Sequence, residues 1–446
     1  MSTALVRSRR FVLSLLGIAL FAAASGLYLG GYTAAYRYLV FALGGYDLDA
    51  PFMDMDTILS WMECYRQGID VFVQNPCDVL DRLMAYSPVW LLGAHLHLNT
   101  SWTPIVGVGL NLIFLVSLVM LPPARTWRGM SVLIAATLSN SVVFAVQLAN
   151  ADLLMFVLLL LAGLAALRQL PTRLMAYPLI VAAALLKFYP VAALIIAVRE
   201  RLGWFLLAVV FSAASLGAFV YIDAADIPRA LRFVPSGDDL YMIGARSLPH
   251  GLQKILPQVY AALSISPGVV QAVLCIVTVI LAVRLALRRD LVDAFALLSE
   301  SERVFLLLGC VVLVACFFTG QSYRYRAVFF LFVLPAMTAL WTERHSRFAT
   351  LLFGITSICV VFLMWGYYLA RSVGALVAML PGPKVLGAAV KTGFWLGREM
   401  IWWWVIGVML AAILLIVAES EIARDFARLL VRARRRSVVA EPRGGA

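Results

Sequence analysis

The stretch RLMAYPLIVAAALLKFYPVAALIIAVR, residues 173–199, decides the fold. From Leu174 to Val198 it is apolar apart from Lys187, and an arginine closes each end. Arginines beside apolar segments mark the cytoplasmic edges of membrane helices. A crossing takes about 20 residues, so this stretch is long enough for one crossing and too short for two. Both ends ask for the same side, yet a single crossing would separate them. Lys187-Phe188-Tyr189-Pro190 at the midpoint offers the resolution. Pro190 removes a backbone donor and disfavours helical geometry at Tyr189, so the helix is expected to break there. Two half-helices that enter and leave from the cytoplasm fit both constraints. Irregular backbone at that depth must be buried in protein or line a cavity, with Lys187 at its bottom.

The rest of the chain agrees with a membrane setting. It has 446 residues, 63% hydrophobic and 13% charged, with mean hydropathy +0.93. So little charge cannot cover a soluble protein of this size. The net charge of +12 comes from 32 arginines and four lysines against 24 acids. These lie in short runs between apolar segments, the pattern of cytoplasmic loops rather than of nucleic-acid binding. Apolar segments fall near 11–31, 103–122, 129–149, 151–167, 203–222, 266–287, 304–319, 327–342, 348–369 and 400–418. The expected fold is an all-α polytopic bundle of about ten full spans plus the broken, re-entrant segment.

Arg7, Arg9 and Arg10 set the N-terminus in the cytoplasm, and the same side takes Arg125, Arg128, Arg168, Arg201, Arg284, Arg288, Arg289, Arg344 and Arg347. The tail, with Arg432, Arg434, Arg435 and Arg436, is expected there too. The N-terminal run resembles a signal peptide with Ala22-Ala23-Ala24 as its cleavage site. Its apolar character continues to Leu43, which favours an uncleaved first span. One membrane domain is expected over 1–446, a bundle to 420 and a basic tail from 421, in the plasma membrane.

Three long outer loops remain, 45–102, 223–262 and 370–398. The first holds eight Asp or Glu against two Arg, with an amphipathic run from Ile58 to Tyr65 suited to the membrane surface. Cys64 and Cys77 share this loop, where oxidation to a disulfide is plausible. Met53-Asp54-Met55-Asp56 opens the run, placing two carboxylates where bilayer meets water. A carboxylate there suits general-base chemistry, and a second can orient or tune the first. The structural alternative is capping of a helix that starts at Thr57, where the dipole favours negative charge.

Lys187 in an apolar span needs an anionic partner, either a phosphate or a structural acid. Gln321-Ser322-Tyr323-Arg324-Tyr325-Arg326 falls on the outer side, against the positive-inside bias. Arginine interleaved with tyrosine clamps phosphate and stacks on sugars, or else forms an interfacial belt. Arg246-Ser247-Leu248-Pro249-His250 is a weaker contact candidate. Asn150 and Asp152 are read as caps of a tight turn, and Trp402, Trp403 and Trp404 as an interfacial anchor.

Taken in order, these features resemble the GT-C glycosyltransferases, and within them the polyprenyl-phosphate-mannose-dependent mannosyltransferases. The resemblance covers roughly residues 10–340. It rests on Asp56 followed by Gly68-Ile69-Asp70, on Tyr86-Ser87-Pro88, on Gln147 to Asp152, on Lys187-Phe188-Tyr189-Pro190 and on Ala245-Arg246-Ser247-Leu248. Ser87 stands where a second proline is common, and Ala245-Arg246 where that family tends to carry Asn-Gln.

The resemblance implies a GT-C fold and a sugar donor on polyprenyl phosphate. It also implies inverting transfer to a lipid or glycan acceptor at the extracytoplasmic face, with Asp56 as base and Asp54 in support. Lys187, Tyr189, Arg324 and Arg326 would serve the donor phosphate. Tyr86, Gln321, Tyr323, Arg246 and His250 would contact substrate. No cofactor is required on this account, although the carboxylate pair could hold a divalent metal weakly. The rivals are a transporter or flippase of a lipid-linked saccharide, which suits a broken helix with a buried lysine, and a polymerase or ligase of lipid-linked glycans.

Overall fold

The computed structural model describes residues 3–48, 50–234, 242–342, 346–379, 384–426 and 428. The expected tail cations Arg432, Arg434, Arg435 and Arg436, and Arg344, lie outside the described residues. Among the described residues the named elements are all helices, with no β-strand. Helices α1 (Thr3–Leu29) and α2 (Thr33–Ala42) lead to α3 (Met53–Arg66) in the first long loop. Then come α4 (Thr103–Ser117), α5 (Trp127–Thr137), α6 (Asn140–Leu148), α7 (Ala151–Ala166) and α8 (Ala176–Leu186). A 3₁₀ segment over Tyr189–Arg199 follows, then α9 (Leu202–Ile222), α10 (Asp226–Arg232), α11 (Ser247–Ile255) and α12 (Pro257–Leu263). The last part holds α13 (Pro267–Ala286), α14 (Arg289–Ala296), α15 (Glu300–Thr319), α16 (Phe330–Thr342), α17 (Arg347–Met364), α18 (Gly366–Met379) and α19 (Lys384–Ala418).

Among the described residues eight helices are long and apolar enough to cross a membrane, or nine if a bent pair counts as one span. Two of the ten expected segments do not form a single helix of spanning length. Segment 129–149 is α5 and α6, bent by 43° where Ser139 caps the second helix. Segment 151–167 is α7, only 16 residues long. Helices α15 and α16 form the centre, each with 78% of its apolar window buried. Gly309 allows their close approach, since a Cβ there would stand 2.6 Å from Val333 Cγ2. Helix α7 packs on this pair, with Phe156 stacked on Phe332 at 4.3 Å. Helices α9 and α13 lie outside, with 17% and 11% of their windows buried.

The segment 173–199 folds back on itself. Arg173 and Glu200 form an ion pair at 2.9 Å, so both ends stand side by side. Tyr177 near one end donates to Glu200 at the other. The turn comes at Lys187, which is extended at φ −141° and ψ 122°. The expected break before Pro190 therefore exists, though the return limb is 3₁₀ rather than α-helix. Ion pairs gather other arginine edges on the same face: Arg125 with Glu302, Arg199 with Glu300, Arg303 with Glu419.

Two expectations fail on packing. Helix α3 is packed into the protein rather than lying along its surface with one apolar face open. Ile58, Leu59, Ser60 and Trp61 are buried, and Cys64, at its end, is bonded to Cys77 with Cα atoms 5.9 Å apart. Trp402 and Trp403 are no anchor either. They are buried mid-helix against Phe317 and Phe330, and Trp404 alone is exposed.

With Arg173 paired to Glu200, cysteines placed at positions 172 and 202 are expected to react with an impermeant thiol reagent from one and the same side. Labelling of one from each side would overturn the re-entrant fold.

Candidate functional site

The polar residues of the interior meet where short helices end inside the protein. Asn150 caps α7, its side chain accepting from the Asp152 amide at 2.8 Å. That part of the capping reading holds for Asn150. Asp152 does more than sit in a turn. Its side chain is fully buried, accepts from Lys187 Nζ at 2.6 Å and from Tyr189 OH at 2.9 Å, and faces Arg326 Nε at 3.5 Å. Lys187 thus finds a structural acid, not an open anion, and is 5% exposed. It does not line the cavity beside Asp56. Its ammonium lies 4.4 Å from the Tyr86 ring centre and 5.7 Å from that of Tyr325.

Asn150 extends this cluster to the first loop, its amide donating to Asp54 Oδ2 at 2.5 Å while its oxygen stands 3.4 Å from Lys187 Nζ. The other Asp54 oxygen is 3.8 Å from Arg82 Nη1. Burial raises the Asp54 pKa above the ordinary aspartate value, against the opposing pull of Asn150, Lys187 and Arg82. Arg82 itself is fixed by Asp78, through Nε at 2.9 Å and Nη2 at 2.7 Å, and by the Met53 carbonyl at 3.0 Å.

Neither aspartate caps the helix. It begins at Met53 rather than Thr57, with Phe52 in the left-handed region at φ 66° as its boundary, so both carboxylates lie in the first turn. Asp56 points away from the cluster and accepts from Thr103 Oγ1 at 2.7 Å. There it lines a cavity of about 650 Å³, mostly aliphatic and aromatic, walled by α1, α2, α4, α6 and the 47–53 loop. Arg82, Thr100, Thr103 and Gln147 complete its polar end. Gln147 holds the 46–52 loop in place, exchanging side-chain hydrogen bonds with Tyr46 and accepting from the Phe52 amide at its carbonyl. Among the described residues no three carboxylate, imidazole or thiol groups converge as a metal site, and the two aspartates have separate partners.

The outer motifs divide. Arg326 turns inward to Asp152 and Tyr189, with Nη1 donating to Ser322 at 2.7 Å. Arg324 turns the other way and lies over Tyr367, 3.6 Å from its ring centre, with Tyr46 at 5.3 Å. They do not form one clamp. Ile243 and Ser322 exchange backbone bonds, which lays Arg246 and His250 on a segment beside Gln321 and Tyr323. Tyr323 stacks on Tyr325 at 5.7 Å. The Gly68-Ile69-Asp70 turn is structural, Gly68 at φ 79° and Asp70 holding the Phe72 amide and Arg229.

Sequence reasoning missed Arg82, Asp78 and Thr103 and gave Asp152 only a capping role. Arg82 carried a signal, as one of two arginines in a loop of eight acids. Asp152 also carried one, as an acid opening an otherwise apolar helix.

Breaking a buried ion pair from one side leaves an uncompensated charge, at a cost of about 3–5 kcal/mol. Lys187→Met and Asp152→Asn are each expected to lower thermal stability in detergent by several kcal/mol, order of magnitude. The double variant is expected to lose less than the two combined, because the Lys187 ammonium and the carboxylate it pairs with are removed together, although Arg326 still loses Asp152. Additive losses would show that the pair is not coupled.

Comparisons with protein-family models, with curated proteins and with solved structures find no match to this chain.

Proposed function

We propose that the protein is a membrane glycosyltransferase. It moves a sugar, mannose or another hexose, from a polyprenyl-phosphate donor to a lipid or glycan acceptor at the outer face of the plasma membrane. The observation that carries this reading is Asp56, a carboxylate held by one hydroxyl at the polar end of a cavity lined mostly by apolar side chains. A base so placed can meet a hydroxyl delivered along the membrane. A structural carboxylate would be expected to have a cation, as Asp78 and Asp152 do.

In the proposed reaction the acceptor oxygen attacks the anomeric carbon and its proton passes to Asp56. The bond from that carbon to the phosphate oxygen breaks, and its electron pair leaves with polyprenyl phosphate. The configuration inverts. A phosphate leaving group needs no proton, only positive charge aimed at its oxygens. Arg324 or Arg326, which face different sides, is assigned that task, with Lys187 and Tyr189 setting the field around Asp152. Tyr86, Gln321, Tyr323, Arg246 and His250 are assigned to the walls that meet sugar. The bundle face that collects Arg125, Arg173, Arg199 and Arg303 is assigned to the cytoplasm, by the positive-inside bias. A transporter reading fits the interior less well, because Lys187 is already bound by Asp152.

Asp56→Asn is nearly isosteric, retains an oxygen for the Thr103 hydroxyl and cannot take a proton. It is expected to reduce transfer of radiolabelled sugar from a polyprenyl-phosphate donor by about 10²–10⁴ while donor binding persists. Asp54→Asn should cost less, since Asp54 is held by Asn150 in an orienting position. A dead Asp54 variant beside an active Asp56 variant would reverse the roles. Full activity in both would remove the enzyme reading's main support.

A further inference from the structure

The cavity beside Asp56 has two ends of different chemistry, and the charge at the polar end says what it can hold. Along its length it is walled by side chains such as Leu20, Phe21, Val108, Leu115, Val142 and Val143. That surface suits a hydrocarbon chain. At the polar end, Asp47 is paired with Arg37, and Arg82 is committed to Asp78 through two of its nitrogens. Among the described residues Asp56 makes no ion pair, Arg82 on the same cavity wall acting on it only at longer range, and Asp54 next to it approaches Arg82 to 3.8 Å. The balance is negative. A phosphate head placed there would face like charge in a poorly solvated pocket, whereas a hydroxyl can donate to the Asp56 carboxylate.

We infer that this cavity is the acceptor site, and that the acceptor is a lipid-anchored alcohol whose uncharged head presents a hydroxyl to Asp56. The phosphate-bearing donor enters from another side. The inference rests on the glycosyltransferase reading for the word acceptor, but the charge selectivity is a property of the cavity alone. It also separates the two substrates by charge. An anionic donor is kept from occupying the acceptor position, so the base meets a hydroxyl and not a phosphate.

The test uses two probes with one tail, farnesol and farnesyl phosphate, on the full chain purified in a zwitterionic detergent. Binding of tritiated farnesol is measured directly, and farnesyl phosphate by displacement. Farnesol is expected to bind about tenfold or more tightly than farnesyl phosphate, and Asp56→Asn to narrow that gap severalfold by relieving the repulsion of the phosphate. Val108→Trp and Val143→Trp fill the cavity from α4 and α6 without touching Asp56, and each is expected to abolish farnesol binding in protein that still melts cooperatively. Farnesyl phosphate binding as tightly as farnesol in the wild type would overturn the inference. So would farnesol binding that survives both tryptophan variants. If neither variant folds, the head-group comparison in wild type and Asp56→Asn still decides. Selective farnesol binding without any sugar transfer would sink the enzyme reading and leave the cavity's selectivity standing. Transfer that proceeds with an unchanged acceptor KM in Val108→Trp would do the reverse.

Discussion

The buried carboxylate of Asp152 is the constraint on which the interior depends. A charge with no exposure is tolerable only with close counter-charge, and Asp152 draws it from Lys187 and Arg326, with Tyr189 donating to the same carboxylate oxygen as Lys187. Lys187 comes from the turn of the re-entrant segment, Tyr189 from the start of its return limb, and Arg326 from the entry to α16. Removing any of these leaves a charge or a donor stranded, so the cluster fixes how α7, the hairpin tip and α16 sit together. Breaking α8 at Lys187 also frees a carbonyl, and the Trp90 indole answers it, donating to Leu186 O at 3.0 Å. The first loop is tied to the hairpin tip by that bond and by Tyr86 over the lysine.

The same cluster divides the labour between the two aspartates. Asn150 takes one oxygen of Asp54 and hands the connection on to Lys187, so Asp54 belongs to the network. Asp56, two residues on, points away from that network. Its carboxylate accepts from the Thr103 hydroxyl and lines the cavity, with Arg82 acting on it at longer range. A rigid partner holding one carboxylate lets the next be presented without its own counter-ion. Arg82, locked by Asp78 beneath both, keeps the local field from becoming too negative for two acids to coexist. This is how a loop becomes a platform: Cys64–Cys77, Asp78–Arg82 and Gln147 together leave it few alternative arrangements.

Much of this was legible in the sequence, and the reasons for the rest are physical. The conflict between Arg173 and Arg199 gave the hairpin, because length and positive charge are both one-dimensional quantities. Lys187 was visible because a cation in an apolar run has no cheap explanation. Its partner was not, since Asn150-Ala151-Asp152 is also the pattern of an ordinary helix start, and the pairing spans 35 positions of chain. The tryptophans at 402–404 read as a belt because composition cannot tell lipid from a buried helix face; both are apolar. The helix start at Met53 was hidden by Phe52, a left-handed boundary residue with no side-chain cap to announce it. The bend between α5 and α6 was signalled by Ser139, but a cap inside an apolar run competes with the simpler reading of one span.

What places a polar site inside so apolar a chain is the presence of helices too short to cross. A full span delivers its termini to water, where stray N–H and C=O groups are satisfied at no cost to the interior. Helices α7 and α8, of 16 and 11 residues, have ends that stop within the protein. Their ends carry the charges that suit them. Asp152 stands in the first turn of α7, and Lys187 is the C-cap of α8, each complementing the local dipole. Helix α3 repeats the device with Asp54 and Asp56 in its first turn. The long helices α9 and α13 keep to the periphery with little buried surface, while the truncated ones bring their ends, and hence the polar chemistry, to the centre. Lengthening α7 or α8 to a full span would move Asp152 or Lys187 to the membrane face. The aspartates of α3 would then have no network to hold one of them still while the other remained open.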